Sequence, residues 1–317
     1  MPNLVCEITI LSFSSVAIDM FNPHPLSLMK RHSFGLMLLS GIVALTPLAG
    51  RSLSLSGSDL FGEGVKEALE VELRERGIEG EIRFEGSLLG EDELAQGQVE
   101  ASLLALPDGL EEGRPFQNYP VGFQLVVCGV HGANPVQELT YEELGELFRR
   151  NGTINDWKAL TDDPEWSEQK LALMAMRSED SVALEIFNAM VLKGQPLKGS
   201  VRILDNQAGA VERLLAEEAG ALVLTPWRPG KSTIKPIAVR ENADDRGYTP
   251  TSDNVFFGDY PLRLPFFLSV SPDLDLGVTE TLLRALYSEA VSAALSEGGC
   301  MPLPEAEQRA QLARFED

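Results

Sequence analysis

The sequence predicts an α/β protein in which parallel sheets are covered by helices. Apolar runs with strand character alternate with amphipathic, helix-periodic segments along most of the chain. With 317 residues, 44% of them hydrophobic, the chain can bury a sizeable core and corresponds to one large or two medium domains. We find no internal repeat and no low-complexity tract. These observations together favour a helix-covered sheet protein over a disordered or repetitive one.

The predicted strands are short apolar runs, of which VGFQLVVCGV at 121–130 is the longest. The polar stretch 241–258, rich in Asp, Asn, Thr and Gly, is predicted to be a long surface loop. In chain order, strands are predicted at 53–56, 81–84, 100–106, 121–130, 171–176, 201–204, 221–225 and 266–270.

The predicted helices carry apolar residues at helical spacing. In the first of them, Val65, Ala68, Leu69 and Leu73 fall on one stripe. In chain order, helices are predicted at 64–76, 91–96, 141–149, 181–192, 208–217 and 279–297.

The first fifty residues differ from the rest of the chain. A basic pair at 30–31 follows Met29, an apolar run covers 34–45, and small residues close the segment. These are the three parts of a secretory signal peptide, and the run is shorter than the ~20 residues that a membrane span needs. We expect translation to start at Met29 and cleavage to fall near 49–50, so that residues 1–50 are an upstream extension plus a signal peptide. A buried core helix is the alternative interpretation.

The charge balance argues against two classes of partner, nucleic acids and anionic membranes. The chain has 26 basic and 48 acidic side chains, for a net charge of −22. Residues 1–50 contain equal numbers of both, so the remainder keeps that charge. A phosphate backbone or an anionic lipid surface would be repelled. The sequence therefore argues against a nucleic-acid-binding protein.

The residues after position 50 allow few kinds of catalytic or metal site. His131 is the one histidine after residue 50, so neither a zinc site nor a Cys/His cluster can be assembled. No G-x-S-x-G motif marks a nucleophile for a triad. The acidic clusters at 161–165 and 241–245 lack the spacing of an EF-hand. We predict a protein that is not an enzyme, with no metal and no cofactor.

Two cysteines, Cys128 and Cys300, remain after the leader. In an oxidising compartment they could pair, although two cysteines in a chain of this length make no disulfide framework. Two separately buried thiols are the alternative.

Three predicted strand-to-helix loops, at 57–62, 86–91 and 177–182, carry Gly or Ser where free backbone N–H groups can converge. In an open α/β sheet, ligands bind outside the carboxyl ends of the strands. The first loop has Glu63 where a phosphate-binding P-loop needs Lys, so a nucleotide site is not supported. The third loop places Arg177 beside a helix N-terminus, which is a favourable position for an anion.

Glu179 and Asp180 allow two interpretations of the third loop. Acids in the first turn of a helix interact favourably with its dipole, and Asp180 or Ser178 can serve as the N-cap. In an anion site, by contrast, each added carboxylate raises the electrostatic cost of binding. The sequence leaves a retained anion site and a simple helix cap equally open.

Four segments match the motifs of one known family, both in their residue types and in their order along the chain. They lie at 134–160, 220–226, 260–267 and 286–304. The chain resembles the phosphate-type periplasmic solute-binding proteins of ABC transporters, a type II periplasmic-binding-protein-like group, over residues 51–315. In the first segment the matching residues are Asn134, Pro135, Leu139, Thr140, Leu144, Phe148, Gly152, Ile154, Asn155 and Trp157, and in the last segment Cys300 replaces an aromatic residue.

The resemblance implies a two-lobed α/β fold, with mixed sheets flanked by helices and joined by crossover strands. We expect the first lobe to consist of residues 51–126 and 226–317 and the second of residues 127–225. The resemblance further implies an exported, periplasmic monomer that binds phosphate or a related oxyanion and delivers it to an ABC permease in the inner membrane.

The resemblance also implies a set of ligand contacts. Arg177 and Ser181 match the arginine and serine of the family's Arg-x-x-Gly-Ser-Gly-Thr loop, and Gly57 matches the glycine of the first loop. The predicted ligand-binding residues are Gly57, Ser58, Asp59, Leu60, Arg177, Ser178 and Ser181.

Departures from the family pattern reduce the number of donors. Asp59 stands where a Thr or Ser hydroxyl is expected, Leu89 where a Ser donates, and Ala105 or Leu106 where the family has an Asp or Arg. Asp59 could instead accept the proton of hydrogenphosphate, which sulfate lacks. The replacements Asp180, Val182 and Ala183 lie in the third loop. Two alternatives follow: a family-derived sensory or interaction protein that has lost phosphate binding, or a binder of a different solute.

Overall fold

The computed structural model describes residues 51–110, 113–177, 181–205, 209–230 and 234–316. All of them fall within the unit Leu48–Asp317. The leader predicted at 1–50 lies outside the described residues, so that assignment stays a prediction. Within the ranges described, no helix is both long enough and apolar enough to cross a membrane.

The elements alternate between strand and helix, as the sequence pattern predicts. The strands are β1 (Arg51–Gly57), β2 (Ile78–Phe84), β3 (Ala101–Ala105), β4 (Gln117–Val130), β5 (Glu138–Thr140), β6 (Ala172–Arg177), β7 (Arg202–Asp205), β8 (Ala221–Pro226), β9 (Lys235–Pro236), β10 (Ala238–Arg240), β11 (Arg263–Val270) and β12 (Met301–Pro302). The helices are α1 (Gly62–Glu75), α2 (Ser87–Ala95), α3 (Tyr141–Phe148), α4 (Pro164–Ser167), α5 (Ala183–Phe187), α6 (Ala210–Glu217), α7 (Ser252–Phe256), α8 (Leu276–Leu286), α9 (Glu289–Glu297) and α10 (Glu305–Ala313).

One mixed sheet runs through the described residues in the order β2-β1-β3-β11-β4-β8-β6-β7, and β9 and β12 also pair with β4. β1, β2 and β3 are parallel and form the first parallel group. β6, β7 and β8 are parallel and form the second parallel group. β11 is antiparallel to β3 and β4, and β4 is antiparallel to β8. The two groups joined by long strands confirm the predicted two-lobed α/β fold class, whereas the residue boundaries of the lobes stay a prediction.

Strand alternation separates the two faces of the first parallel group. Leu53 and Leu55 of β1 point into a core that α1, α8 and α9 cover. Ser56 points to the other face, where its hydroxyl lies 3.3 Å from the Ser102 hydroxyl of β3. Side chains alternate along a strand with a period of two, so this arrangement follows directly from the sequence LSLS.

A second core covers one face of the second parallel group and the carboxyl-terminal half of β4. Its largest fully buried side chains are Trp157, Tyr260, Phe148 and Phe187. The Trp157 indole N–H donates to the Gly220 carbonyl over 3.0 Å, which satisfies its polar atom inside the core. The motif residues of the segment 134–160 therefore include core residues.

The prediction of one continuous helix over 279–297 is wrong, because the structure has two helices there. α8 ends at Leu286 and α9 begins at Glu289. Ser288 separates them, because its hydroxyl accepts a hydrogen bond from the Val291 N–H over 3.2 Å and serves as the N-cap of α9. A serine inside an apolar helical pattern was the signal for this break.

Other differences from the predicted elements are local. The predicted surface loop 241–258 contains α7, whose N-cap is the Thr251 hydroxyl. The helix predicted from Glu91 begins at Ser87, and the helix predicted through Leu192 becomes a π-helical turn after Phe187. β5, β9, β10 and β12 were not predicted, because segments of two or three residues carry little periodicity. α10 was also not predicted, and none of its nine residues is buried.

The two cysteines are separately buried thiols. Cys300 lies beside Gly122 of β4, since a Cβ added to Gly122 would approach its sulfur to 2.9 Å. Cys128 lies six residues further along the same strand, which is roughly 20 Å away. Burial raises the pKa of each thiol to about 12. The disulfide alternative is therefore excluded in this structure.

Candidate functional site

The ends of the two parallel groups face each other across the middle of β4. In the first group, Ala105 at the end of β3 pairs with Phe266, which pairs with Gly122 of β4. Because β11 is antiparallel to both neighbours, β3 and β4 run in the same direction. The first group therefore ends level with Gly122 and points towards the carboxyl half of β4.

The second group approaches the same region from the opposite direction. Ala175 of β6 pairs with Leu224 of the parallel strand β8, so Arg177, two residues further, lies level with Pro226. Pro226 in turn pairs with Val126 of β4. The two sets of strand ends are thus separated by four residues of β4, or roughly 13 Å. We call the space between them the strand-end gap.

Gln124 lies between these two levels and is 1% exposed. Its side-chain oxygen accepts a hydrogen bond from the Val182 N–H over 3.0 Å, immediately before α5 begins. This contact fixes the start of α5 against the back of the strand-end gap. Sequence reasoning did not single out Gln124, although a polar residue inside the apolar run VGFQLVVCGV was a usable signal.

Gly57 at the end of β1 occupies a position that admits no side chain. An added Cβ would lie 2.4 Å from the carbonyl oxygen of Leu103, which is backbone and cannot move away. The Gly57 carbonyl accepts a hydrogen bond from the Gly86 N–H over 2.8 Å. The first and second strand-to-helix loops are therefore tied together at this glycine.

The predicted contacts in the first loop are largely turned inwards. The Ser58 N–H donates to the Leu103 carbonyl over 2.8 Å, and the Ser58 hydroxyl accepts from the Leu60 N–H over 3.3 Å. Ser58 itself is 1% exposed. Asp59 is exposed at the start of a short 3₁₀ turn. Two of the predicted backbone donors are thus already bonded within the protein.

In the second loop, the hydroxyl at the strand end belongs to Ser87. Its oxygen accepts a hydrogen bond from the Ala105 N–H over 3.0 Å, which places the start of α2 against the end of β3. Sequence reasoning had compared the donating serine of the family with Leu89 and passed over Ser87. Leu88 and Leu89 follow it and are exposed in the first turn of α2.

Arg177, the last residue of β6, is an exposed cation at the strand-end gap. Its side chain is 69% exposed, and Nη2 lies 3.4 Å from a carboxylate oxygen of Asp205, which is also exposed. Exposed ion pairs of this kind contribute ~1 kcal/mol or less, so the guanidinium can exchange partners at little cost.

Ser181 lies at the same end of the second group. Its oxygen accepts a hydrogen bond from the Ala183 N–H over 3.2 Å, and its O–H remains able to donate. Ser178, Glu179 and Asp180 lie outside the described residues. The choice between an anion site and a helix cap for the two acids therefore stays open.

An ion pair that the sequence analysis missed supports the gap from the other face of the sheet. Arg263 of β11 donates from Nη2 and Nε to the two carboxylate oxygens of Asp108, over 2.7 and 3.1 Å. Its Nη1 donates to the carbonyls of Val255 and Phe256. Its guanidinium also lies 5.1 Å from the centre of the Phe123 ring.

The position of this ion pair follows from strand register. Arg263 pairs with Leu125, and neighbouring residues on β4 point to opposite faces, so Arg263 and Gln124 lie on opposite faces. The pair links the loop after β3, the start of β11 and the end of α7. It therefore braces the joint between the two strand groups rather than lining the gap beside α5.

Two concavities lie elsewhere, and neither lining includes a residue of the strand-end gap. One, of about 250 Å³, is lined by Lys170, Lys198 and Arg202 among others. The Lys198 ammonium donates to the Glu146 and Ile154 carbonyls and to the Asn155 side chain, and Arg202 pairs with Glu218. The other, of about 400 Å³, has a lining of mixed charge. Across the described ranges, no group of three or more His, Cys, Asp and Glu side chains is placed to hold a metal ion.

Comparisons with known proteins agree with this architecture. Residues 46–293 match the family model of the PBP superfamily domain. PstS from Borrelia burgdorferi is 14% identical, with a TM-score of 0.62 over 80% of this chain and 99% of that one. A possible phosphate binding protein from Planctomyces limnophilus is 16% identical, with a TM-score of 0.61 over 84% of this chain and 98% of that one.

Two further proteins are similar to this chain. An ABC-type phosphate transport receptor from Vibrio cholerae is 19% identical, with a TM-score of 0.55 over 80% of this chain and 100% of that one. Among curated proteins, Protein SphX of Synechococcus elongatus is 23% identical over 260 residues, which cover 78% of this chain and 76% of that protein. The chain belongs to the PBP superfamily domain family and has the two-lobed α/β fold found in phosphate-type periplasmic binding proteins.

Proposed function

We propose that this chain is an exported solute-binding protein that binds phosphate or a related oxyanion in the strand-end gap and delivers it to an ABC transporter. Arg177 carries the proposal, because it is an exposed, loosely paired guanidinium at the carboxyl end of a parallel strand. Ligands of open α/β sheets bind at such ends. The names of the structural neighbours, which include an ABC-type phosphate transport receptor, support the same ligand class.

The ligand contacts in this proposal come from both strand groups. Arg177, Ser178 and Ser181 supply charge and hydroxyl donors on one side, and the loop 57–60 closes the other. Asp59, which is exposed in that loop, accepts the proton of hydrogenphosphate. Sulfate has no such proton, so this carboxylate would select phosphate over sulfate.

The protein acts in this proposal as a monomeric periplasmic receptor and not as an enzyme. Its two lobes, 51–126 with 226–317 and 127–225, close on the anion. A permease in the inner membrane then recognises the closed form, because closure changes the surface that the lobes present together.

Isothermal titration of phosphate into ligand-stripped protein tests the proposal. We expect micromolar or tighter binding, no binding of sulfate, and a loss of about 100-fold in affinity for Arg177→Ala, since a charged hydrogen-bond donor is removed. Arg309→Ala is the matched control, because Arg309 is 72% exposed and also has a carboxylate partner at 3.4 Å. No heat from folded protein with either anion, or equal losses in both variants, would contradict the phosphate proposal.

One observation favours a second candidate function. The backbone N–H groups of Ser58 and Leu60 are already bonded inside the first loop, so they offer nothing to an anion in this conformation. A protein that kept the fold and lost the ligand would act as a sensory or interaction partner. Folded protein that shows no change in its amide NMR spectrum with any anion would support this candidate.

Export is tested separately from binding. Mass spectrometry of the protein recovered from the periplasmic fraction should give an amino terminus near residue 50. Recovery of uncleaved protein from the cytoplasm would contradict the signal-peptide prediction.

A further inference from the structure

We infer, on the basis of the function proposed above, that the ligand is an organic anion in which an apolar group is attached to the acidic head, with Leu88 and Leu89 as the surface that contacts the apolar group. The two sides of the strand-end gap differ in chemistry, and a bare tetrahedral oxyanion matches only one of them.

Leu88 and Leu89 are 65% and 45% exposed, although they are large apolar side chains. They follow Ser87, whose hydroxyl is bonded to the end of β3, and Gly86, whose N–H is bonded to the end of β1. Side chains on a helix lean towards its amino terminus. The two leucines therefore lean from α2 towards the edge where the first parallel group ends.

The polar groups of Ser58 on the same side are already occupied, whereas Asp59 is exposed. Ser58 is buried, its N–H is bonded to Leu103, and its oxygen is bonded to the Leu60 N–H. The Leu60 side chain packs against the core beneath the loop. This side of the gap thus offers apolar surface in the place where the family to which the chain is similar has hydroxyl donors.

The opposite side offers charge and polarity. Arg177 is exposed with one long ion-pair contact, and the hydroxyl of Ser181 can still donate. An acidic head group bound there satisfies the guanidinium. An apolar group attached to that head covers the exposed leucines on the other side of the gap.

Titrations with phosphate, butyl phosphate and phenyl phosphate test this inference. Because burying a few apolar carbons changes affinity by about tenfold or more, we expect at least one ester to bind about tenfold tighter than phosphate. In a Leu88→Ala/Leu89→Ala variant, which removes the apolar surface without adding a hydroxyl donor, the preference for the ester should disappear while phosphate still binds. Leu276→Ala is the matched control, since Leu276 is 63% exposed at the start of a different helix, α8.

Each outcome separates the inference from the proposed function. Phosphate binding that depends on Arg177, with no gain for either ester, would overturn the inference and leave the proposed function intact. An ester preference that survives in the double leucine variant would also overturn it, because the apolar contact would lie elsewhere. Ester binding that depends on both Arg177 and the leucines, with weak phosphate binding, supports it. No binding of any of the three anions would overturn both.

Discussion

The strand-end loops of the two parallel groups differ in how they use their polar groups. In the first group, the Ser58 N–H and hydroxyl both serve the loop itself, and the residue is buried. In the second group, Arg177 extends into solvent with one weak partner. The same scaffold position is therefore closed on one side and available on the other. The difference shows that this fold fixes where a ligand can bind, while individual side chains decide what it is.

Removal of the Arg263 side chain should have the largest effect, because it breaks the brace behind both groups. The side chain is 11% exposed and satisfies Asp108 together with two carbonyls. We expect Arg263→Ala to lower the free energy of unfolding by about 4 kcal/mol, because the Val255 and Phe256 carbonyls lose a charged donor and the half-exposed Asp108 loses this partner. Urea denaturation measures it. Arg284→Ala, which removes an exposed i,i+4 pair, should cost less than about 0.5 kcal/mol. Equal losses would contradict the role of the brace.

The closed state of the first loop depends on Gly57. We expect Gly57→Ala to lower the free energy of unfolding by about 3 kcal/mol, because the added methyl group meets the Leu103 carbonyl at 2.4 Å. Gly64→Ala in α1 is the control, since a Cβ there meets nothing within 4 Å. That variant should be neutral or more stable by about 0.5 kcal/mol. A Gly57→Ala protein as stable as wild type would show that the loop can open.

In the second group, the start of α5 depends on Gln124. Gln124→Leu leaves the Val182 N–H without its side-chain acceptor, and we expect a loss of about 2 kcal/mol in unfolding free energy. Hydrogen exchange should also accelerate at Val182, which tests the contact independently of global stability. Gln98→Leu, at an exposed position, serves as the control and should change stability very little. Unchanged exchange at Val182 would contradict the contact.

The smallest effect is on the pH dependence of stability, to which one buried thiol in each core contributes. Cys300 lies in the core of the first group and Cys128 in that of the second. Burial raises the pKa of each folded thiol from 9.0 to about 12, so above pH 9 the unfolded state loses protons that the folded state keeps. Stability is therefore full below pH 9 and falls as the pH rises. Each thiol should contribute a loss of about 1 kcal/mol between pH 9 and pH 10.

Cys128→Ala and Cys300→Ala should each remove one share of that pH dependence in urea titrations at pH 8, 9 and 10. If one variant alone abolished the loss of stability between pH 9 and pH 10, only that thiol would have a raised pKa in the folded protein, which would contradict the prediction.

The sequence predicts the fold well where the information is local. The alternation of Leu53 and Leu55 with serines in β1 defines a strand with two different faces. The break between α8 and α9 was missed, although Ser288 is a typical N-cap and offered a local signal. The motifs shared with the family supplied the two-lobed arrangement, which periodicity alone does not specify.

The candidate site was less predictable, because its contacts join distant parts of the chain. Gln124 and Val182 are 58 positions apart, and Arg263 and Asp108 are 155 apart. No local pattern reports such a contact. The confusion of Leu89 with Ser87 has a different cause: the loop before α2 is short, and a shift of two residues in a loop has no period to oppose it.

The insertion of β11 between β3 and β4 has a consequence for the order in which the chain folds. β3 and β4 are made early, but the strand that joins them comprises residues 263–270. An emerging chain therefore leaves the facing edges of β3 and β4 unpaired until residues 263–270 have been made. Contacts of such long sequence separation slow folding and prolong exposure of those edges. The topology thus delays completion of the fold until nearly all of the chain is available.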